Sequence, residues 1–374
     1  MSAIYLHIPF CKRLCGYCDF FKSVKLNRLN DTLDAMEKEL TEEYEFLNDH
    51  KIETIYFGGG TPSLVGADRI RTLLNIINSN YDTSTLKEIT LEANPDDLSA
   101  QYLTDLRNAG INRLSIGVQS FNDEVLTFMN RRHNATQAIE MVKLAQSIGF
   151  DNITIDLIFG VKGFGIDTLQ QSITTALELG VQHISAYHLT IEPGTPFARK
   201  AAKGELQSVD EEQSEREYRL IENRLTEAGF EHYEVSNYAL PNYRSAHNSS
   251  YWHGVEYLGI GPAAHSFNGK ERRYAIDSIE EYITGGSERY KSELLNDIEH
   301  YNEFIMTSLR CCEGINLEIF NQKFDEKFVA YFLKNAKRWI AKGDLYNVDG
   351  HVRIPTTNFL ISDLIIESLF WSED

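Results

Sequence analysis

Hydrophobic and polar positions alternate with two different periods through the first 230 residues. Short apolar runs typical of buried strands lie at 4–8, 54–57, 88–92, 113–117, 152–158 and 183–189. Apolar residues recurring every three or four positions predict helices at 29–47, 67–78, 99–109, 134–148, 166–179 and 211–228. Six strand–helix units in series predict a parallel sheet with right-handed crossovers. Six strands are too few for a closed eight-stranded barrel, so we predict an α/β fold with a partial (β/α)6 barrel.

The pattern changes after residue 228. Residues 229–266 are rich in Tyr, His, Asn, Ser and Gly and favour loops and short strands. Helical periodicity returns near residue 293, with a short element at 315–320 and helices at 324–333, 336–342 and 359–370. Asp349-Gly350, a strong turn dipeptide, predicts a hairpin of 345–348 with 352–354. We therefore predict a core at 1–230, a connecting segment at 231–292 packed on it, and a mostly helical, winged-helix-like domain at 293–374.

Composition narrows the classes of function. The chain has 374 residues and a net charge of −19, which argues against general nucleic-acid binding and against a polybasic membrane anchor. The winged domain itself has 14 acidic and 8 basic residues, a poor balance for phosphate contacts. No apolar stretch approaches the roughly 20 residues of a spanning helix, and no secretory signal is readable. These features predict a cytoplasmic protein with reduced thiols and no nucleic-acid partner.

Three of the five cysteines, Cys11, Cys15 and Cys18, lie on one short loop after the first predicted strand. Three thiolates on such a loop can hold three irons of a cubane cluster and leave the fourth iron open. A structural zinc ion would need a fourth Cys or His, and the nearby His7 precedes the loop. The alternative is that the three cysteines are only buried or reactive. Cys311 and Cys312, far along the chain, are most simply packing residues.

Polar residues also follow the other predicted strands. Residues 58–63 form a glycine-rich turn after the second strand, Glu92 ends the third, Gln119 and Ser120 follow the fourth, and Asp156 lies within the fifth. Each alone could be a structural hydrogen-bonding group. Because the carboxyl ends of parallel strands meet at one rim, together they predict a single ligand site.

The C-x3-C-x2-C spacing resembles that of the radical S-adenosylmethionine (SAM) superfamily. The resemblance implies a 4Fe–4S cluster held by Cys11, Cys15 and Cys18, with SAM on the open iron and cleaved to a 5′-deoxyadenosyl radical. The segments 5–11, 58–63, 113–121 and 130–131, with Glu92 and Asp156, resemble the oxygen-independent coproporphyrinogen III oxidase family. The positions that would contact SAM by this resemblance are Tyr5, Tyr17, Gly59, Gly60, Thr61, Glu92, Gln119, Arg131 and Asp156; five of them, Gly60, Thr61, Gln119, Arg131 and Asp156, match residues that hold a second SAM in the oxidases.

Two branches of that family compete. The true oxidases have a further cysteine two residues after the third, whereas Asp19-Phe20-Phe21 follows Cys18 here. The oxidases also carry an extension before the first strand. Both features resemble the HemW haem-chaperone group and predict a haem-binding and haem-transfer protein without coproporphyrinogen oxidase activity. The alternative function is the oxidase reaction, a radical oxidative decarboxylation of propionates.

The His247-Asn248-x-x-Tyr251-Trp252 run is similar to the proposed haem-binding signature of that group. Imidazole can bind haem iron, and the two aromatic rings offer flat apolar surface. The alternative is an aromatic-rich loop packed over the barrel with His247 hydrogen-bonded, and His253 and His265 are further candidates. The sequence departs from the family at 160–165, where the usual Gly-Leu-Pro-Gly-Gln run is replaced. The family's substrate contacts are therefore less readily assigned to this chain than its SAM contacts. The resemblance also implies haem-accepting proteins, including membrane-associated ones, an electron donor such as a flavodoxin or ferredoxin, and a homodimer.

Overall fold

A computed structural model describes residues 1–285 and 289–372; residues 286–288 and 373–374, which fall in the predicted middle and C-terminal segments, lie outside it. The strands are β1 Ser2–Ile8, β2 Ile52–Gly59, β3 Glu88–Ala93, β4 Arg113–Gln119, β5 Ile153–Phe159, β6 His183–His188, β7 Glu231–Glu234, β8 Asn237–Ala239, β9 Glu256–Ile260, β10 His265–Phe267, β11 Glu271–Ala275, β12 Tyr290–Leu294, β13 Ile315–Asn316, β14 Tyr346–Val348 and β15 His351–Arg353. The helices are α1 Leu29–Glu42, α2 Ala67–Asn80, α3 Ala100–Ala109, α4 Asp123–Phe128, α5 Ala135–Ile148, α6 Ile166–Glu178, α7 Pro196–Ala202, α8 Glu211–Glu227, α9 Ala246–Trp252, α10 Ile279–Thr284, α11 Asp297–Leu309, α12 Leu317–Lys323, α13 Glu326–Lys342 and α14 Ser362–Glu367.

The first six strands form the parallel sheet that the sequence predicts, in the order β1 to β6. Each strand is mostly buried, as expected for strands covered on both faces. Ile4, Leu6 and Ile8 of β1 belong to the same apolar core as Leu33 and Met36 of α1. The α/β fold with a partial (β/α)6 barrel is therefore confirmed.

The middle segment extends this sheet at both ends. β9 pairs in parallel with β1, from Ser2 opposite Glu256 to Leu6 opposite Ile260, and β10, β11 and β12 continue antiparallel beyond it. At the other end β8 pairs antiparallel with β6, and β7 with β8. Among the described residues these strands make one sheet of twelve. The division into 1–230, 231–292 and 293–374 stays a prediction.

Helix α9 lies in the segment that the sequence predicts to be loops and strands. It spans seven residues, and the hydroxyl of Ser245 accepts a hydrogen bond from the N–H of Asn248 at its start. Two turns of helix are too short to show a repeating apolar face. The predicted haem-binding run therefore begins on a helix rather than on a loop.

The C-terminal region is helical, and its predicted hairpin forms as β14 and β15. A third strand that was not predicted, β13, pairs with β15 and completes the wing. Asp349 and Gly350 both have positive φ, 51° and 76°, as the predicted tight turn requires. Two helix boundaries were wrong. The predicted helices 324–333 and 336–342 are the single helix α13, because no Gly or Pro interrupts them. The predicted helix 359–370 is a 3₁₀ turn, Thr356–Ile361, followed by α14.

The predicted helix 29–47 is also shorter than expected. α1 ends at Glu42, and a separate 3₁₀ turn, Tyr44–Phe46, follows it. Apolar residues continue with helical spacing past this break, and Phe46 and Leu47 are buried in the same core. The periodicity therefore reports burial here and not an unbroken helix.

The C-terminal domain is joined to one edge of the large sheet by backbone hydrogen bonds. The N–H of Cys312 donates to the carbonyl of Tyr233 at 3.0 Å, and the N–H of Val235 donates to the carbonyl of Arg310 at 3.1 Å. Cys311 is buried at this junction. The domain thus continues the hydrogen bonding of β7 rather than only packing beside it.

Candidate functional site

The cysteine loop leaves the carboxyl end of β1. The N–H of Cys11 donates to the carbonyl of Ser23 at 2.9 Å, which closes the base of the loop. Cys11 is buried, whereas Cys15 and Cys18 are half-buried, and all three are free thiols. Burial raises the pKa of the Cys11 and Cys18 thiols. The loop therefore presents three sulfur atoms from one short segment at the rim of the barrel.

A chain of hydrogen bonds joins two of these cysteines across the ends of neighbouring strands. The Thr61 hydroxyl donates to the Cys11 sulfur at 3.4 Å and accepts from the Asn94 amide at 3.3 Å. Arg131 donates to the Asn94 carbonyl oxygen at 2.6 Å and to the Cys15 sulfur at 3.3 Å. Thr61 and Arg131 are predicted SAM contacts, whereas Asn94 was missed. Its signal in the sequence was its place two residues after Glu92, at the end of β3.

Glu92 is the carboxylate at the centre of the rim. It accepts hydrogen bonds from the Tyr56 hydroxyl at 2.8 Å and from the N–H of Gly59 at 3.1 Å. Gly59 has a φ of 109°, a conformation that favours glycine. Burial, with the nearby Asp156 carboxylate, raises the pKa of Glu92 to about 7, and burial raises that of Asp156 to about 6. Two buried carboxylates with raised pKa values on one rim are typical of a functional site.

Tyr5 and His7 extend this group along β1. The Tyr5 hydroxyl lies 3.0 Å from Nδ1 of His7, and Nε2 of His7 lies 3.1 Å from the carbonyl of Phe21. A carbonyl only accepts, so Nε2 carries the proton and the Tyr5 hydroxyl donates to Nδ1. Both nitrogens of His7 are therefore occupied, and His7 fastens the far end of the cysteine loop.

The remaining predicted SAM residues lie around the same rim. Gly60 donates its N–H to the carbonyl of Ile8 at 2.9 Å. Gln119 ends β4 with a φ of 68°, an unusual conformation for a residue other than glycine. The ring of Tyr17 packs 6.5 Å from that of Phe197, in a second apolar cluster beside the cysteine loop. The structure thus brings the nine predicted positions to one end of the barrel.

These residues fit the cofactors that the family resemblance implies. Three cysteines on one loop supply three ligands of a cubane cluster. The buried Nε of Arg131 has no hydrogen-bond partner among residues 1–285 and 289–372, so a polar group remains to be satisfied beside Cys15. Within the same residues, no three His, Cys, Asp or Glu side chains are placed to hold a single metal ion. A cubane does not need such a group, because each cysteine binds a different iron.

The raised pKa of Glu92 gives a prediction for stability. The folded state holds this proton more tightly than the unfolded state, whose pKa is near 4.5. The free energy of unfolding therefore falls as the pH rises from about 4.5 to about 7, by about 3 kcal/mol from this group. Asp156 contributes a smaller decrease in the free energy of unfolding over a lower pH range, and the positive charge of Arg113 reduces the pKa rise of both carboxyl groups.

Urea unfolding between pH 4.5 and 7 should show a flatter dependence of stability on pH for Glu92→Gln. Glu124→Gln, at an exposed position of α4, should keep the wild-type profile. Equal profiles for all three proteins would contradict the assignment.

His247 lies at the opposite end of the barrel from the cysteines. It is fully buried, with Nδ1 2.9 Å from the Thr54 hydroxyl and Nε2 2.9 Å from the Tyr251 hydroxyl. The N–H groups of Ala246 and His247 donate to the carboxylate of Glu88, the first residue of β3. Burial lowers the pKa of His247 to about 3. In this conformation α9 closes the base of the barrel, and iron could reach His247 only if these bonds opened.

The aromatic residues of the same run face elsewhere. Tyr251 and Trp252 line a cavity between α9 and the C-terminal domain, as does His253 directly after the helix. His265, on β10, is exposed and packs against the ring of Tyr274. The five residues predicted to contact haem or to substitute for His247 are therefore divided between the barrel base, this cavity and an exposed strand.

Comparison with known proteins agrees with this architecture. The family model of the Radical SAM superfamily matches residues 5–176, and that of the HemN C-terminal domain matches residues 295–357. Coproporphyrinogen III oxidase (HemN) from Escherichia coli has a similar fold, with a TM-score of 0.83 over 99% of this chain and 90% of that chain, at 23% identity.

Two relatives are more similar in sequence. The heme chaperone HemW of Lactococcus lactis is 33% identical over 368 residues, which cover 98% of this chain and 96% of that protein. The heme chaperone HemW of Bacillus subtilis is 34% identical over 94% of each chain. With a relative this similar along almost its whole length, the chain belongs to the HemW family of radical SAM proteins.

Proposed function

We propose that the protein is a haem chaperone, which binds haem and transfers it to acceptor proteins, and that its barrel binds a 4Fe–4S cluster and SAM. The observation that carries the proposal is the match to heme chaperones along almost the whole chain. The residues after Cys18 support the same branch, because Asp19, Phe20 and Phe21 replace the further cysteine of the oxidases.

At the rim, Cys11, Cys15 and Cys18 hold the cluster. With SAM bound to it, the cluster supplies one-electron chemistry. The Gly59 turn would let backbone groups approach SAM closely, and the Glu92 carboxylate, which already accepts from the N–H of Gly59, would help to hold SAM there. Arg131 fixes Asn94 and, through it, Thr61, so the walls of the SAM site and the cysteine loop are held by the same hydrogen bonds.

On the cargo side, Tyr251 and Trp252 contact the macrocycle with their rings. His247 acts on the cargo through Tyr251, whose hydroxyl lies 2.9 Å from its Nε2. The indole N–H of Trp252 donates to the buried Glu234 carboxylate, which fixes the orientation of its ring. Helix α9 therefore links the barrel interior to the surface that binds haem.

The partners follow from the same role. We propose haem-accepting proteins, including membrane-associated ones, and a flavodoxin or ferredoxin as electron donor. The homodimer is part of the same proposal. We place the protein in the cytoplasm, since the cysteine loop needs reduced thiols to hold a cluster and none of the five cysteines forms a disulfide among the described residues. Within residues 1–285 and 289–372, every helix is too short or too polar to cross a bilayer.

An anaerobic assay separates the chaperone from the oxidase. Protein with a reconstituted cluster, reductant, SAM and coproporphyrinogen III should form no protoporphyrinogen, whereas haem added to the same protein should give a saturable Soret band. A genuine coproporphyrinogen oxidase serves as the positive control. Robust formation of protoporphyrinogen, or haem spectra that never saturate, would overturn the proposal.

A further inference from the structure

A large cavity separates α9 and the β10–β11 hairpin from the C-terminal helices α11, α12 and α13. Its volume is about 870 Å³. This is near the upper end of the roughly 300–1,000 Å³ typical of small-molecule sites. The cavity lies outside the barrel and is separate from the cysteine rim, so the function proposed for the rim does not use it.

Flat aromatic side chains make up much of the cavity wall. They come from both sides: Tyr251, Trp252, Tyr257 and Phe267 from the middle segment, and Phe304 and Phe324 from the C-terminal domain. Tyr251 and Tyr257 meet edge to face, with ring centroids 4.7 Å apart. Two walls of rings facing one space suit a flat, largely apolar ligand better than a compact polar one.

Two histidines of the wall have free imidazoles. His253 follows the last turn of α9, and His300 lies in the first turn of α11, which packs against α9. His253 is exposed and His300 is half-buried, and no hydrogen bond of either imidazole is found within residues 1–285 and 289–372. A third histidine of the wall, His351, differs, because its Nδ1 lies 3.2 Å from the carbonyl of Asp349. An unengaged imidazole in an aromatic wall is a ready ligand for haem iron.

Basic side chains also line the cavity. Lys323 lies 5.3 Å above the ring of Phe304 and 5.9 Å above that of Phe324, without an ion-pair partner among the described residues. Burial lowers the pKa of its ammonium, so a carboxylate brought beside it would be stabilised. Arg272 is also in the wall, but it already pairs with Glu303 at 2.7 Å. The cavity therefore offers a free positive charge at the edge of its aromatic walls.

We infer that this cavity is the site of the haem cargo, that His253 and His300 bind its iron, and that Lys323 meets a propionate. The inference rests on the proposed haem-chaperone function. It places the iron ligands outside the buried His247, on two elements that belong to different parts of the chain. Since His253 belongs to the middle segment and His300 to the C-terminal domain, haem bound to both would hold the C-terminal domain against the middle segment.

The test is titration of the full-length protein with haem and with metal-free protoporphyrin, followed by difference spectra. His253→Ala and His300→Ala should each weaken haem binding at least about tenfold and shift the Soret band. Protoporphyrin binding should change little, because it has no iron to ligate. Thr307→Trp, which fills the cavity and keeps both histidines, should weaken the binding of both haem and protoporphyrin. Lys323→Gln should weaken the binding of haem and of protoporphyrin more than Lys327→Gln does, since Lys327 is a nearby exposed lysine outside the wall.

His265→Ala, at an exposed histidine outside the wall, is the matched control and should leave haem binding unchanged. If wild type binds haem but the cavity variants bind it equally well with the same spectrum, the inference fails and the chaperone function stands. If wild type binds no haem, both fail. A loss of haem binding confined to His265→Ala or to His247→Ala would show that the iron binds outside this cavity.

Discussion

Alanine at any one of Cys11, Cys15 and Cys18 is expected to abolish cluster assembly. Each sulfur would bind a different iron, and the loop has no other side chain that replaces a thiolate. After anaerobic reconstitution, each variant should lack the brown chromophore and bind almost no iron or sulfide, whereas wild type should bind about four of each per chain.

Cys311→Ala and Cys312→Ala provide the control for this experiment. Both residues lie at the junction with the C-terminal domain, and Cys311 is buried there. These variants should assemble the cluster normally, even if Cys311→Ala lowers stability by leaving a small cavity. A full cluster spectrum in any of the three loop variants would contradict the assignment of the ligands.

Gly60→Ala is expected to destabilise the rim strongly. Its Cβ would lie 2.7 Å from the N of Phe10, 2.8 Å from its carbonyl oxygen and 3.0 Å from the carbonyl oxygen of Ile8. All three are backbone atoms just before Cys11, so no side chain can rotate to make room. We expect a loss of about 3 kcal/mol in the free energy of unfolding, with reduced cluster occupancy.

Gly66→Ala is the matched control, six residues further on. No atom lies within 4 Å of a Cβ added there, and the residue precedes α2 with extended backbone. Its cost should be about 0.5 kcal/mol, that of a less favourable helix cap. Urea denaturation gives both values, and iron content reports the cluster. Equal stability of the two variants would show that the glycine turn does not need to approach β1 so closely.

The barrel could be predicted because its signals are local. The six buried runs correspond to six parallel strands, and the Asp349-Gly350 turn formed as its composition indicated. The rim could be predicted from the same information, since the carboxyl ends of parallel strands meet by geometry. Tyr5, Glu92 and Asp156 could be grouped from their places on the first, third and fifth strands together with the family resemblance.

The features that were missed depend on contacts between distant residues. β9 joins β1 across about 250 positions of sequence, and nothing in its own five residues indicates which edge it adds to. Asn94 matters because Thr61 and Arg131 flank it in space. The environment of His247 is likewise set by Thr54, which lies 193 residues away. Periodicity reports which side chains are buried, and it does not report which partners satisfy them.

The junction at Tyr233 and Val235 has a further consequence. β7 is the last strand on its side of the sheet, and Cys312 and Arg310 occupy backbone groups that would otherwise face outward. A shortened chain that ends before residue 295 would expose these N–H and C=O groups as a template for other strands. The C-terminal domain therefore also protects the protein against edge-to-edge aggregation. We expect a protein without this domain to lose solubility while the barrel can still fold.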